Sequence, residues 1–298
     1  MKLQFLITGI LFAVSLGFIQ TRANAQNDAS LSKKSYFKIA ADYLSNAVYS
    51  GRKDSEVVSY FSPSIGYFNK SGFSLNATMS FLTNSDNAGR IDEALVEAAY
   101  DFSIKDHIDG GFYADKYFYS DNSYAVTSEL QGDVGGYLSY NNDILTIGGG
   151  ADALISTPGT DLTINGNLSH PFTFGGDNNS WTISPTAEVN AGTQSFYRAY
   201  YKNRKFNFSS GSKRKGHGSG GGNSGNSKVI SFPKQDQFSV LDYELSIPIT
   251  YDAKKWGLFA TPVIAIPVNP ATFAIDGVTQ KEVLTTSFFA KAGAYYKF

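Results

Sequence analysis

Ser287-Phe288-Phe289-Ala290-Lys291-Ala292-Gly293-Ala294-Tyr295-Tyr296-Lys297-Phe298 closes the chain. Phe288, Ala290, Ala292, Ala294, Tyr296 and Phe298 form one set of alternate residues, all apolar or aromatic. Phe289, Lys291, Gly293, Tyr295 and Lys297 form the other, and it is mixed. A period of two is the mark of a strand with two unlike faces. One such strand decides little. Its weight depends on whether the rest of the chain repeats it.

The repeat runs back almost to the start. Phe73, Leu75, Ala77, Met79 and Phe81 alternate with Ser74, Asn76, Thr78 and Ser80. Val96, Ala98, Tyr100 and Phe102 oppose Glu93, Glu97 and Asp101. Val126, Leu130, Val134 and Leu138 form the apolar set of a sixth strand, against Thr127, Glu129, Gln131 and Asp133. Leu241, Tyr243, Leu245, Ile247, Ile249 and Tyr251 form that of a tenth, against Asp242, Glu244, Ser246 and Thr250. Reading every segment this way predicts an all-β chain of about twelve strands over residues 36–298, an up-and-down antiparallel transmembrane β-barrel. Short turns such as Asn69-Lys70-Ser71-Gly72 follow even-numbered strands, and longer loops follow odd-numbered ones. Aromatic residues gather at two levels, Tyr67, Phe73, Tyr100, Tyr140, Trp181, Tyr251, Trp256, Tyr296 and Phe298 near the short turns, and Phe81, Tyr117, Phe118, Phe196 and Phe288 near the long loops. Two such girdles suit a barrel crossing a bilayer. A soluble sandwich would alternate too, but several segments exceed the ~5–6 residues usual in soluble sheets. Pro63, Pro185, Pro248, Pro262 and Pro267 fall inside strands, so each should mark a bulge or a projecting strand end.

Composition agrees. Aromatic residues make up 15% of the chain and charged residues only 17%, a balance suited to strands whose outer surface meets hydrocarbon. There is no cysteine, which removes disulfides, thiolate metal sites and thiol nucleophiles. A formal net charge of -1 argues against nucleic acid as a partner. Residues 1–25 read as a signal peptide, with basic Lys2, an apolar run from Leu3 to Ile19 and a small-x-small site at Ala23-Asn24-Ala25, so cleavage is expected after Ala25. Residues 26–35 form a polar periplasmic lead-in. No later run is long enough for a spanning helix, so a membrane location requires a closed barrel.

With the apolar faces outward, the lumen receives Glu93, Glu97, Asp101, Asp109, Asp115, Glu129, Asp133, Asp152, Glu188, Asp242 and Glu244, opposed by Lys38, Lys291 and Lys297. A water-filled passage so lined favours cations. The alternative is a filled interior in which the acids are paired or hydrogen-bonded to Ser, Thr, Asn and Tyr. Positive charge collects instead in the loop 197–237, where Arg198, Lys202, Arg204, Lys205, Lys213, Arg214 and Lys215 flank a Gly/Ser-rich middle. That loop could fold into the mouth, bind anionic lipopolysaccharide, or stay solvated. His107, His170 and His217 have no acid and nucleophile beside them, and adjacent Ser169 and His170 point to opposite faces of a strand. No metal-ligand spacing occurs, so neither metal nor cofactor is expected.

The terminal strand and its repeats resemble the bacterial outer-membrane β-barrel class over essentially all of the mature sequence. The composition looks most like small porin-like barrels of Bacteroidota. The first hairpin, with Asp42-Tyr43, Ser50-Gly51-Arg52 and Phe81, is similar to that of porins of the TorF type. The resemblance implies a Gram-negative outer-membrane location among lipid and lipopolysaccharide. It also implies that Tyr296 and Phe298 are read by the barrel-assembly machinery. The expected function is passive diffusion of small polar or cationic solutes. Two other readings remain: a closed structural or adhesion barrel, and a barrel hydrolase.

Overall fold

The computed structural model describes residues 34–298 except 54–55, 84–87, 106, 122, 143, 158, 177, 196–229, 232–236 and 276–277. The signal peptide and the basic residues of the long loop therefore lie outside the described residues.

Twelve antiparallel strands close into a barrel. They are β1 Tyr36–Leu44, β2 Tyr60–Phe68, β3 Phe73–Leu82, β4 Ile91–Ile104, β5 Ile108–Tyr119 and β6 Leu130–Asn141. The second half is β7 Thr146–Ser156, β8 Gly159–Ser169, β9 Thr186–Gly192, β10 Ser239–Ser246, β11 Trp256–Pro267 and β12 Ser287–Lys297. Each pairs with its neighbours in sequence. The terminal strand closes the ring on β1, from Lys38↔Lys297 to Leu44↔Lys291. Closure removes both edges, which would otherwise expose unpaired backbone groups to hydrocarbon.

The opening stretch shows how the faces divide. Phe288 is 68% exposed and Phe289, the next residue, 0%. Ile39 and Tyr43 on β1, Leu75 and Met79 on β3, Leu162 and Leu168 on β8, and Tyr243 and Leu245 on β10 are all turned outward. A continuous apolar wall of this kind is far larger than soluble proteins leave in water. It is stable only against lipid. Near the short turns the outward aromatics touch, Trp181 and Tyr251 at 4.9 Å, Tyr251 and Trp256 at 5.3 Å, and Phe37 and Tyr67 at 5.1 Å between ring centroids.

Pro63 and Pro262 lie within β2 and β11 in unbroken register, so neither marks the expected bulge or strand end, whereas the ladder breaks or ends at Pro185, Pro248 and Pro267. Pro171, Pro185 and Pro248 interrupt three adjacent strands, which resume as Phe172–Gly176 beyond β8, Asn179–Ile183 before β9 and Ile249–Ala253 beyond β10. Where the missing N–H breaks the ladder, proline carbonyls still accept. Pro185 accepts from His170 N–H, Pro248 from Ser184 N–H and Pro262 from Ile247 N–H. Pro267 ends its strand.

Three bulges change the faces at one end of the barrel. Asp92 is an extra residue between Ile91 and Glu93, opposite Phe81 and Ser80. Gln131 is extra between Leu130 and Gly132, and Leu241 between Val240 and Asp242. A bulge sets two residues against one, so alternation reverses on passing it. The simple period had placed Val126, Leu130 and Leu241 on the lipid face. All three are 3% exposed or less, Leu130 and Leu241 at the bulges and Val126 because it lies in the loop before β6 and belongs to no strand. Past the bulges, Val134 and Leu138 face out as expected.

Candidate functional site: the lumen and its filled mouth

The inward-facing acids predicted from alternation lie along two parts of the wall. On one, Asn76, Glu97, Asp115 and Asp133 are cross-strand neighbours in one row over β3 to β6. Glu97, Asp115 and Asp133 are buried, as are Glu93 and Asp152. Asp101 and Asp109 lie lower on this wall and are half-buried. On the other part, Glu188 pairs across the ladder with Glu244, and Asn190 with Asp242. Glu129 is the exception. It lies in the loop before β6, half-buried, and belongs to no strand.

Tyrosine hydroxyls serve many of these carboxylates. Tyr117 donates to Asp133 at 2.7 Å and to Asp115 at 3.3 Å, Tyr137 to Asp101 at 2.6 Å, and Tyr113 to Asp152. Asp109 accepts from Ser103 and Asn141, both at 2.6 Å. Neutral donors satisfy a carboxylate's lone pairs without bringing a positive charge. Three lysines occupy the opposite side. Lys291 pairs with Asp42 at 3.3 Å. Lys38 lies 4.5 Å over the Phe68 ring, and Lys297 5.0 Å over Tyr295. Ring faces attract cations, which holds both ammonium groups against the wall on β1 and β12.

Among the described residues, two loops fill the mouth. Residues 45–53, 56–59, 120–121 and 123–129 fold inward. Val48, Val58 and the strand residues Leu44, Tyr60, Leu82, Val263, Ala265 and Phe289 form one apolar cluster. Tyr49, Val126, Leu95, Tyr117, Leu130 and Leu154 form a second. Ala47 N–H donates to the Val58 carbonyl at 2.7 Å and closes the neck of the first loop. At its tip Gly51 has φ +71 and lies so close to Pro267 that an added Cβ would sit 2.6 Å from a ring carbon. Only glycine suits both the backbone and the space.

Arg52 latches this tip to the far wall. Its guanidinium donates to the carbonyls of Ser50 at 3.0 Å, Leu241 at 3.4 Å, and Val268 and Asn269 at 3.3 Å. It also pairs with Glu282 at 3.5 Å. The second loop hangs on Asp92, which is fully buried. That carboxylate accepts from Tyr60 at 2.6 Å, Ser123 at 2.7 Å, Ser120 at 3.1 Å and the Tyr124 N–H at 3.3 Å, and pairs with Arg90 at 2.7 Å. Between the loops, burial first and then the charges of Asp152, Asp133, Asp161 and Asp242 push the Tyr49 phenol well above its ordinary pKa. It therefore stays a neutral donor.

Arg52, Asp92, Tyr49 and Asp161 were not singled out by the sequence pattern. The signal available was apolar residues in loops, Val48-Tyr49, Val57-Val58 and Tyr124-Ala125-Val126. Solvated loops seldom carry such clusters.

The remaining expectations are placed as follows. His107 Nδ1 lies 3.1 Å from the Asn141 carbonyl, and His170 Nδ1 contacts that of Ile144. His217 is outside the described residues. Among the described residues no group of three or more His, Asp or Glu is arranged to hold a metal ion. Tyr296 faces outward, and Phe298 N–H donates to the Phe37 carbonyl at 2.9 Å, so the terminal residue is tied to β1.

No protein-family model matches the chain, and no curated protein does. Several solved barrels are similar in structure. A KdgM porin superimposes over 89% of this chain and 99% of its own at 10% identity, with a TM-score of 0.41. A NanC porin covers 88% and 100% at 11% identity, TM-score 0.43. LpxR from Salmonella typhimurium covers 88% and 100% at 8% identity, TM-score 0.46. These superpositions are loose, and the twelve-strand closure rests on the chain's own strand pairing.

Proposed function

We propose that the protein is an outer-membrane, porin-like channel that passes small polar or cationic solutes by diffusion. The observation that carries this reading is the imbalance of lumen charge inside an apolar outer wall. Carboxylates line β4 to β7 and β9 to β10, while one of the three opposing lysines is already paired with Asp42. A passage lined in this way attracts cations and repels anions. The inward loops 45–59 and 120–129 make it narrow and exclude large solutes. The chain would reach the outer membrane by its signal peptide, ending at Ala25, and by its terminal strand, with Tyr296 and Phe298 read by the assembly machinery. Its exposed wall would then sit among lipid and lipopolysaccharide.

Liposome swelling with graded solutes tests this. Small amines and zwitterions should enter faster than anions of equal size. Equal exclusion of all of them would refute passive diffusion. The two apolar clusters at the mouth favour a second reading, a closed structural barrel. It predicts no swelling with any solute, even after the Arg52 latch is cut.

A further inference from the structure

Six inward-facing side chains on three adjacent strands form a two-row array. Asn165, Asn190 and Asp242 make one row, and Asn167, Glu188 and Glu244 the other, across β8, β9 and β10. Neighbours in a row are set by the ~4.8 Å strand spacing. The bulge at Leu241 helps to aim Asp242 inward. Asp242 is 0% exposed, Glu244 1% and Asn167 4%.

Both carboxylate oxygens of Asp242, both of Glu244 and both amide atoms of Asn167 have no hydrogen-bond partner in the structure. Asp242 lies beside Glu244 and Asn190, and the positive charge of Arg52 acts on it. Glu188 adds its own charge to the field at Glu244. Elsewhere in the lumen, phenols and hydroxyls serve the acids. Here no phenol or hydroxyl serves the two acids, and the Nδ2 groups of Asn167 and Asn190 stand unpartnered beside them. Burying such groups is costly unless something supplies hydrogen bonds and positive charge.

We propose that this array is a subsite for a primary ammonium group carried by a small solute. An ammonium brings three N–H donors and one positive charge to the unpartnered oxygens of Asp242, Glu244 and Asn167, and the positive charge is what the neutral amides beside them cannot supply. A metal ion is a poorer fit, since no three acids among the described residues are arranged to hold one. The subsite rests on the channel reading for its access from the lumen. It also narrows that reading, since a weak site along a passage selects its solute while still releasing it.

Binding of 1,4-diaminobutane to the full chain in lipid nanodiscs, measured by calorimetry against 1,4-butanediol, tests the subsite without requiring conduction. The diamine should bind and the diol should not. Asp242→Asn and Glu244→Gln should each weaken the diamine at least ten-fold, whereas Glu56→Gln, an equal charge loss outside the array, should not. Asn167→Asp, which adds a carboxylate on the third strand, should tighten it. Heat-modifiable gel mobility shows that each variant is folded. Equal binding by wild type, Asp242→Asn and Glu244→Gln would overturn the subsite, as would equal affinity for diamine and diol. Diamine binding that depends on Asp242 in a barrel that conducts nothing would leave the subsite standing and sink the channel.

Discussion

The two ends of this barrel follow different rules. Toward the short turns, strict alternation holds. Phe37 and Ile39 face out while Lys38 faces in, and Phe112 faces out while Tyr113 faces in. Toward the long loops, bulges at Asp92, Gln131 and Leu241 shift the alternation so that Asp92, Leu130 and Leu241 are buried, and two loops enter the lumen. The first end is a lipid-facing wall around a polar interior. The second is built more like a soluble core, with Leu82, Leu95, Leu241 and Phe289 buried. The difference teaches that bulges at a barrel's rim can convert a lining into a packed plug by moving one residue per strand.

The largest expected effect breaks the mouth. Arg52→Ala removes the latch and leaves Glu282 buried without its guanidinium, at a cost of roughly 3–5 kcal/mol to the seated loop. Single-channel conductance should rise several-fold. Conductance at the wild-type level would show that residues 45–59 do not obstruct the lumen.

Next, neighbouring phenylalanines separate core from lipid face. Phe289→Ala should cost about 3–5 kcal/mol by opening a cavity in the mouth cluster. Phe288→Ala, on the lipid face, should cost under about 1 kcal/mol. Urea unfolding in detergent micelles measures both, and equal losses would erase the contrast. A charge on the wall sharpens the same comparison from outside. Val134→Lys should destabilise the barrel by roughly 2–4 kcal/mol if that position sits near the bilayer midplane. The same measurement in lipid vesicles reads it, and a neutral outcome would place Val134 outside the hydrocarbon. The smallest effect is electrostatic. Glu97→Gln should leave stability nearly unchanged and reduce cation preference, as read from permeability ratios.

The sequence made the wall legible because a side-chain period of two is set by backbone geometry and survives in every strand. It located the acids of β4 to β10 for the same reason. Bulges were not legible, since an extra residue carries no residue type of its own. A period of two therefore marks Glu93 and not Asp92, and puts Leu241 on the lipid side of Asp242. The plug was hidden differently. Its two loops are short and carry charges of both signs, while the conspicuous run of positive charge sits in 197–237, outside the described residues. The Arg52 latch depends on carbonyls of Leu241, Val268 and Asn269, and backbone acceptors far along the chain leave no trace in the residue pattern.

The most direct test of the channel is the reversal potential of the full chain in a planar bilayer under a potassium chloride gradient. An acid-lined passage predicts a potential displaced toward potassium equilibrium, with the displacement reduced in Glu97→Gln. A potential at zero or on the chloride side would contradict it, as would silence at every voltage in both wild type and Arg52→Ala.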